Sequence, residues 1–138
     1  ISEDKVISYN YKTNESWEKI IENTIYSFEI SDTGNIVLNL IVPYDGMLDE
    51  PDVYRLVGFN KTGESTIDMT SEKRIDFTTI GADQILIAIE KEIRVVDYLG
   101  NTLMSEQLGN NINSIEWLNS KSLIVEFGNF AEIYELTY

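Results

Sequence analysis

The chain has 138 residues, 43% of them hydrophobic and 25% charged, so it is long enough to bury a core and too apolar for a disordered tract. It contains no cysteine and no histidine, which excludes disulfides, thiolate zinc sites and every histidine-dependent triad, and leaves the redox compartment open. A formal net charge of −14 repels nucleic acid and anionic lipid, and attracts basic proteins, cationic peptides or divalent cations.

The polar start Ile1-Ser2-Glu3-Asp4-Lys5 carries no visible signal peptide and no initiator Met, so the sequence reads as a piece of a longer chain. Tyr9-Asn10-Tyr11-Lys12-Thr13-Asn14-Glu15-Ser16 follows, with turn residues between strand-like stretches. Ser16 to Asn23 has weak helix character, but Trp17-Glu18-Lys19-Ile20-Ile21 reads equally well as a strand. A strand is expected around Phe28, then the turn Ser31-Asp32-Thr33-Gly34-Asn35, then an apolar strand over residues 36–42. The apolar run from Ile36 to Tyr44 is broken by Asn39 and reaches Pro43. It falls well short of the ~20 residues a membrane helix needs, and no membrane insertion is expected.

After a long polar connection, a strand runs to Asn60, with the turn Lys61-Thr62-Gly63 and a further strand over 64–69. The pattern then recurs. A strand near Phe77 meets Gly81-Ala82-Asp83, a strongly apolar strand covers 85–90, and the next runs to Asp97. Leu99-Gly100-Asn101 leads into a strand over 102–108. Beyond Gly109-Asn110-Asn111 come a strand near Ile115, the turn Asn119-Ser120-Lys121, a strand over 123–127 and a last one to Glu135. Alternating, β-branched and aromatic stretches of about five residues with a turn every ~8–12 residues indicate a sandwich, barrel or propeller.

Aligning the chain with itself narrows the choice. Placing Tyr26-Ser27-Phe28 over Ile75-Asp76-Phe77 puts Ile36, Leu38 and Leu40 on Ile85, Ile87 and Ile89; setting Ile115 under Phe77 adds Leu123, Val125 and Phe127. Val57-Gly58-Phe59-Asn60-Lys61-Thr62-Gly63-Glu64 matches Arg94-Val95-Val96-Asp97-Tyr98-Leu99-Gly100-Asn101, and the stretch from Tyr9 to Ser16 matches it with one residue inserted. Each unit is therefore four strands, A to D, in roughly 38–50 residues, a length typical of such repeats. The chain holds two full units, a C–D hairpin before them and an A–B–C set after them.

The stretch from Arg94 to Asn101 resembles the third strand and turn of divergent β-propeller repeats of the WD-repeat-like or YVTN-like kind, and Asp32-Thr33-Gly34-Asn35-Ile36-Val37-Leu38 resembles their first-to-second-strand turn. The resemblance implies an all-β fold of about three to four antiparallel four-stranded blades, a partial or small propeller, as one domain over residues 1–138. It implies architecture only, because propellers host enzymes, scaffolds and sensors alike.

The one departure from repeat spacing is Pro43-Tyr44-Asp45-Gly46-Met47-Leu48-Asp49-Glu50-Pro51-Asp52, the B–C connection of the first full unit; Glu90-Lys91-Glu92 does the same work in the second. Insertions on a repeat scaffold concentrate on the binding face. Tyr44, Met47 and Leu48 offer apolar anchors, and Asp45, Asp49, Glu50 and Asp52 an acidic rim, so these seven are the candidate binding residues. A solvated linker is the plainer alternative. The acid spacing does not fit an EF-hand loop, and no metal or cofactor is expected.

Catalysis has few candidates. A glycosidase-type pair needs two carboxyls across a cleft, and Glu90 and Glu92 read as solvated turn residues, so Glu92→Ala is expected to be nearly neutral. Ser71 with Lys73 and Ser120 with Lys121 sit in wet turns. Trp17, Trp117, Tyr26, Phe28, Phe77 and Phe127 are expected in the core. The function expected is a non-catalytic protein-interaction or ligand-binding module for a protein or peptide, basic by charge, with self-association through unpaired edges. The alternatives are part of a larger propeller enzyme acting on carbohydrate and an acidic inhibitor of a basic protein.

Overall fold

Within each sheet, strands consecutive in the chain pair with one another. A computed structural model of the chain describes residues 4–42 and 53–137. Among the described residues there are thirteen strands and no helix: β1 (Asp4–Tyr9), β2 (Ser16–Ile21), β3 (Thr24–Ile30), β4 (Ile36–Val42), β5 (Val53–Phe59), β6 (Ser65–Ser71), β7 (Phe77–Ile80), β8 (Gln84–Ile89), β9 (Glu92–Asp97), β10 (Thr102–Gln107), β11 (Ser114–Trp117), β12 (Ser122–Glu126) and β13 (Ala131–Glu135). They form antiparallel meanders: β1-β2, β3-β4-β5-β6, β7-β8-β9-β10 and β11-β12-β13. These are the C–D hairpin, the two full units and the A–B–C set read from the sequence. The ambiguous stretch after Ser16 is strand β2, because its apolar side chains Trp17 and Ile21 alternate onto one buried face.

The chain divides into two compact units, Ile1–Lys73 and Arg74–Tyr138. In the first, Leu38 and Leu40 of β4 and Val57 and Phe59 of β5 close over Ile21 of the hairpin, with Val6, Trp17, Ile25 and Ile36 packed against them. In the second, Leu86, Ala88, Ile93 and Val95 of β8 and β9 meet Ile115, Leu123 and Val125 of β11 and β12. Every residue of β8 is buried, so this strand is covered on both faces and reads as a continuous apolar run rather than an alternation.

One turn recurs. Asn60 N–H donates to the Glu64 carbonyl (2.9 Å) and Gly63 N–H to the Asn60 carbonyl (3.0 Å); Asp97, Gly100 and Asn101 repeat this at 2.9 and 3.0 Å, and Ser31, Gly34 and Asn35 at 2.8 and 3.0 Å. The first side chain braces each turn: Asn60 Oδ1 accepts from Thr62 and Glu64 N–H, Asp97 Oδ1 from Leu99 and Asn101 N–H, and Ser31 Oγ from Asn35 N–H. The fourth residue has φ of +87° at Gly34, +86° at Gly63 and +88° at Gly100, where a side chain is strained. The hairpin turn is one residue longer and uses Asn14 (φ +58°), bonded to the Asn10 carbonyl at 2.8 Å.

These turns fix which face each side chain takes. Leu38, Ile87 and Val125 pair with Val57, Arg94 and Glu132, which stand three residues before Asn60, Asp97 and Glu135. All three are buried, and they are equivalent as expected. The A strands depart from the alignment. Ile30 pairs with Ile36 but Ile80 with Ile85, so the second A–B turn is one residue shorter. Phe28 therefore pairs with Leu38, while Phe77 pairs with Ala88 and lies on the opposite face from its aligned counterpart.

Glu92 also departs from expectation. It opens β9, and its carboxylate accepts from Arg94 Nε (3.0 Å) and Nη2 (2.8 Å) and from Ser105 Oγ (2.8 Å). Its side chain retains 20% exposure, so it anchors a strand-surface network and is not a freely solvated turn acid.

Two outcomes follow from this packing. Ile87→Ala, at 0% exposure, is expected to cost about 2–5 kcal/mol through lost burial and a cavity, while Asp83→Ala in an exposed turn changes stability by less than ~0.5 kcal/mol; equal shifts of the two denaturant midpoints would overturn the strand assignment. Bonds from the Asn101 side chain, then from the Asn101, Leu99 and Gly100 backbones, hold the Asp97 carboxyl below its ordinary pKa. A depressed folded pKa gives a contribution that is present above the unfolded value, ~3.9, and lost as pH falls through the folded one. Asn serves the same turn position at Asn60, so Asp97→Asn should keep the fold at neutral pH and remove an acid titration step from the Leu99 and Asn101 amide resonances. A step that persists in the variant would assign it to another group.

Candidate functional site

The candidate residues Tyr44, Asp45, Met47, Leu48, Asp49, Glu50 and Asp52 lie outside the described residues. The strands that carry them are described. Val42 of β4 pairs directly with Val53 of β5, so the two ends of the connection stand about 5 Å apart, a gap that a tight turn spans. Residues 43–52 occupy that position, whereas Glu90-Lys91 joins β8 to β9 and residues 127–130 join β12 to β13.

Next to this end of the sheet, Tyr54 packs edge-on against Tyr26 with ring centroids 6.1 Å apart. Arg55 forms two parallel bonds with Asp68 across the strands, Nε to Oδ1 at 2.8 Å and Nη2 to Oδ2 at 2.6 Å. The pair holds the Asp68 carboxyl below its usual range and, with a smaller contribution from the Glu22 charge, raises the Arg55 guanidinium. Arg55 and Asp68 line a cleft of about 290 Å³ with Ile20, Glu22, Asn23 and Phe59. Its one guanidinium is balanced by Asp68, and Glu22 leaves the lining with one net negative charge.

At the opposite end of the strands, the Trp17 ring lies 6.0 Å from Phe59, and its N–H donates to the Lys61 carbonyl at 2.9 Å. A Cβ on Gly63 would come within 2.9 Å of the Trp17 ring, so glycine is required there for space as well as for φ. Asn10, Thr13, Glu15 and Lys61 surround this corner with polar groups, and Tyr9 Oη donates to Asn14 Oδ1 at 2.9 Å.

The other sequence candidates fall into place individually. Ser71 Oγ donates to the Lys73 carbonyl (2.6 Å) and accepts from Lys73 N–H (3.2 Å), which commits the hydroxyl to a local turn. No cluster of three acids able to hold a metal ion occurs among the described residues. Trp117 packs in the second core with Phe77 and Phe127 and donates to the Thr79 carbonyl at 3.3 Å. Phe28 is the exception. It was expected in the core but is 63% exposed, as is Ile30 at 61%. The physical reason is the hairpin's two-stranded sheet: β1 has β2 on one side and no strand on the other among the described residues, so nothing there covers this end of β3.

No family model matches the chain, and no curated protein matches it. Solved β-propeller structures do. It superposes on HIRA residues 644–1017 with a TM-score of 0.60 and 13% identity, over 81% of this chain and 36% of that one. It superposes on Kluyvelomyces marxianus Hsv2 with a TM-score of 0.61 and 7% identity, over 84% of this chain and 36% of that one. The chain thus spans about a third of each, and at such identity the likeness concerns the fold alone. Together with the four-stranded meanders it makes this an all-β, propeller-like chain.

The exposure of Phe28 is measurable. Phe28→Ser should change stability by less than ~0.5 kcal/mol, as for other exposed positions. Phe127→Ala, at 5% exposure and stacked on Phe130 with centroids 4.8 Å apart, should cost about 3–5 kcal/mol. A large loss at Phe28 in chemical denaturation would return it to the core.

Proposed function

We propose that residues 1–138 act as one propeller-like, non-catalytic domain that binds a protein or peptide partner of basic character, with the β4–β5 connection as the contact surface. The observation that carries this reading is the contrast in B–C connections. Residues 43–52 bridge a cross-strand pair, Val42 and Val53, that needs no such length, while Glu90-Lys91 suffices in the next sheet. Closure entropy grows by only ~0.6 kcal/mol per doubling of loop length, so the scaffold tolerates the insertion.

The chemistry of the insertion supports a basic partner. Tyr44, Met47 and Leu48 supply apolar contact, and Asp45, Asp49, Glu50 and Asp52 complement lysine or arginine. The charge of −14 steers cationic partners and raises their association rate in a salt-dependent way. Glu22 in the lining of the Arg55–Asp68 cleft adds to the same field. A protein-binding role is also common among propellers, and an absence of histidine and cysteine removes the usual catalytic side chains.

The test replaces residues 43–52 by a Gly-Asn turn. The shortened protein should fold with an unchanged melting profile, because Val42 and Val53 remain paired. Binding to an array of basic peptides, and its weakening between 50 and roughly 300 mM salt, should be present in the parent chain and lost in the variant. Undiminished binding by the shortened protein would remove the loop as the contact surface.

A further inference from the structure

We propose that the turn end of the β7–β10 sheet carries a cation site, a cleft around Asp83, Gln84 and Asp97 that takes a guanidinium group. The site uses none of residues 43–52, which connect strands of another sheet.

Three turns build the cleft. Asp83 lies in the β7–β8 turn, Gln84 opens β8 and Asp97 ends β9. Gln84 and Asp97 are a direct cross-strand pair, so their side chains share a face with β-carbons about 5 Å apart. Leu103 of β10 and Ser120 and Lys121 of the β11–β12 turn complete a volume of about 370 Å³. β8 and β9 are the two central strands of their sheet, so both acceptors on them are held by pairing on either side.

Gln84 carries an unused acceptor. The residue is only 5% exposed. Its Nε2 donates to the Ser120 carbonyl at 3.0 Å, a bond that only the amide nitrogen can make, which fixes the orientation of the side chain. Its Oε1 accepts no hydrogen bond from a described residue. A buried acceptor without a donor is costly, and a ligand N–H entering the cleft would satisfy it. The aligned residue of the first full sheet, Asn35, instead spends its amide on Thr33 Oγ1 inside its own turn.

The carboxylates set the charge of the ligand. Among the described residues the Asp83 side chain has no hydrogen-bond or ion-pair partner. Asp97 accepts from Leu99 N–H, Asn101 N–H and Asn101 Nδ2, all of them neutral donors. Asn60 performs the same bracing in the first full sheet, so the turn does not itself require an acid. With Lys121, the two carboxylates leave the lining with one net negative charge, which suits a monovalent cation. A calcium ion would want six to eight oxygens, and no cluster of three acids occurs among the described residues. A guanidinium fits better than an ammonium. Its N–H groups diverge in one plane and so reach Gln84 Oε1 and both carboxylates together, and it is the more weakly hydrated cation. Leu103, 40% exposed, offers apolar contact to the stem of an arginine.

The test titrates the full chain, at low ionic strength, with N-acetyl-arginine methylamide and with a capped peptide holding one arginine between glycines. Expected results are saturable shifts of the Gln84 side-chain amide resonances, and binding weakened about fivefold or more in Asp83→Asn and in Asp97→Asn. Equal affinity for the two probes assigns the site to the guanidinium alone; tighter binding of the peptide assigns it to an arginine within a chain; either upholds the proposal. Asp32→Asn, the same charge change in an exposed turn of the first full sheet, should bind as the parent does, and so should the protein shortened at residues 43–52. Amide spectra check that each variant is folded. Gln84 resonances that do not move, equal weakening by Asp32→Asn, or equal binding of N-acetyl-lysine methylamide overturns the proposal while leaving the loop reading intact. Loss of binding in the shortened protein would transfer the cation to the loop and overturn it equally.

Discussion

The five-residue turn that closes the A–B hairpin of the first full sheet and the C–D hairpins of both full sheets is the constraint on which the rest depends. Its geometry is set by a side chain at the first position that captures backbone N–H groups and by a glycine at the fourth with φ near +87°. A hairpin register admits no half-measures: a slip of one residue sends every apolar side chain to the other face. Because the turns at Asn60 and Asp97 are alike, Val57 and Arg94 stand at the same step of their strands, and Leu38 and Ile87 are placed by pairing with them. The turn after Ile80 has one residue fewer, and there the rule operates in reverse. Phe77 moves to the opposite face and joins the second core, while Phe28 stays on the Leu38 face.

Strand and turn assignments were legible in the residues because each depends on local chemistry. The turn signals Asp32-Thr33-Gly34, Lys61-Thr62-Gly63 and Leu99-Gly100 mark where φ must be positive, and continuous apolar runs mark the second strands. What periodicity does not encode is which neighbour covers a face. Phe28 belongs to an apolar column, yet among the described residues no strand lies beside β1 to cover it, so its exposure is a property of neighbours rather than of β3 itself. Glu92 reads as a turn acid because its sequence neighbours are charged; its bond to Arg94 needs the extended strand β9, and its bond to Ser105 the β9–β10 register. The A-strand offset was hidden because self-alignment without gaps cannot sense a one-residue deletion in a turn. Of the candidate site, only the unusual spacing and acidity were legible, and the described structure adds the pairing of the strands that bear it.

Electrostatics here serves the surface more than the core. The Lys5–Glu18 pair at 3.1 Å and the Arg55–Asp68 pair at 2.6 Å both join substantially exposed side chains, where such pairs contribute little net stability. Burial of β4, β5, β8 and β12 bears the load. The excess of carboxylates instead governs what approaches the protein and how strongly salt screens that approach. It also opposes edge-to-edge association, the usual hazard of exposed strands.

The meander has a consequence for how the chain is made. Every sheet is assembled from adjacent hairpins, so each pairing closes a short loop and can form quickly once its residues exist. The first hairpin is completed late. The indole N–H of Trp17 reaches the carbonyl of Lys61, 44 residues later, and the Phe59 ring that packs against it also comes late. At a synthesis rate of ~5–20 residues per second, the apolar face of β1–β2 waits roughly 2–9 s for its cover. During vectorial synthesis this face is available to chaperones and to neighbouring nascent chains. A ribosomal pause shortly before Phe59 would prolong that interval, so the coding sequence of β5 bears on the yield of correctly folded protein even where the amino acids are unchanged.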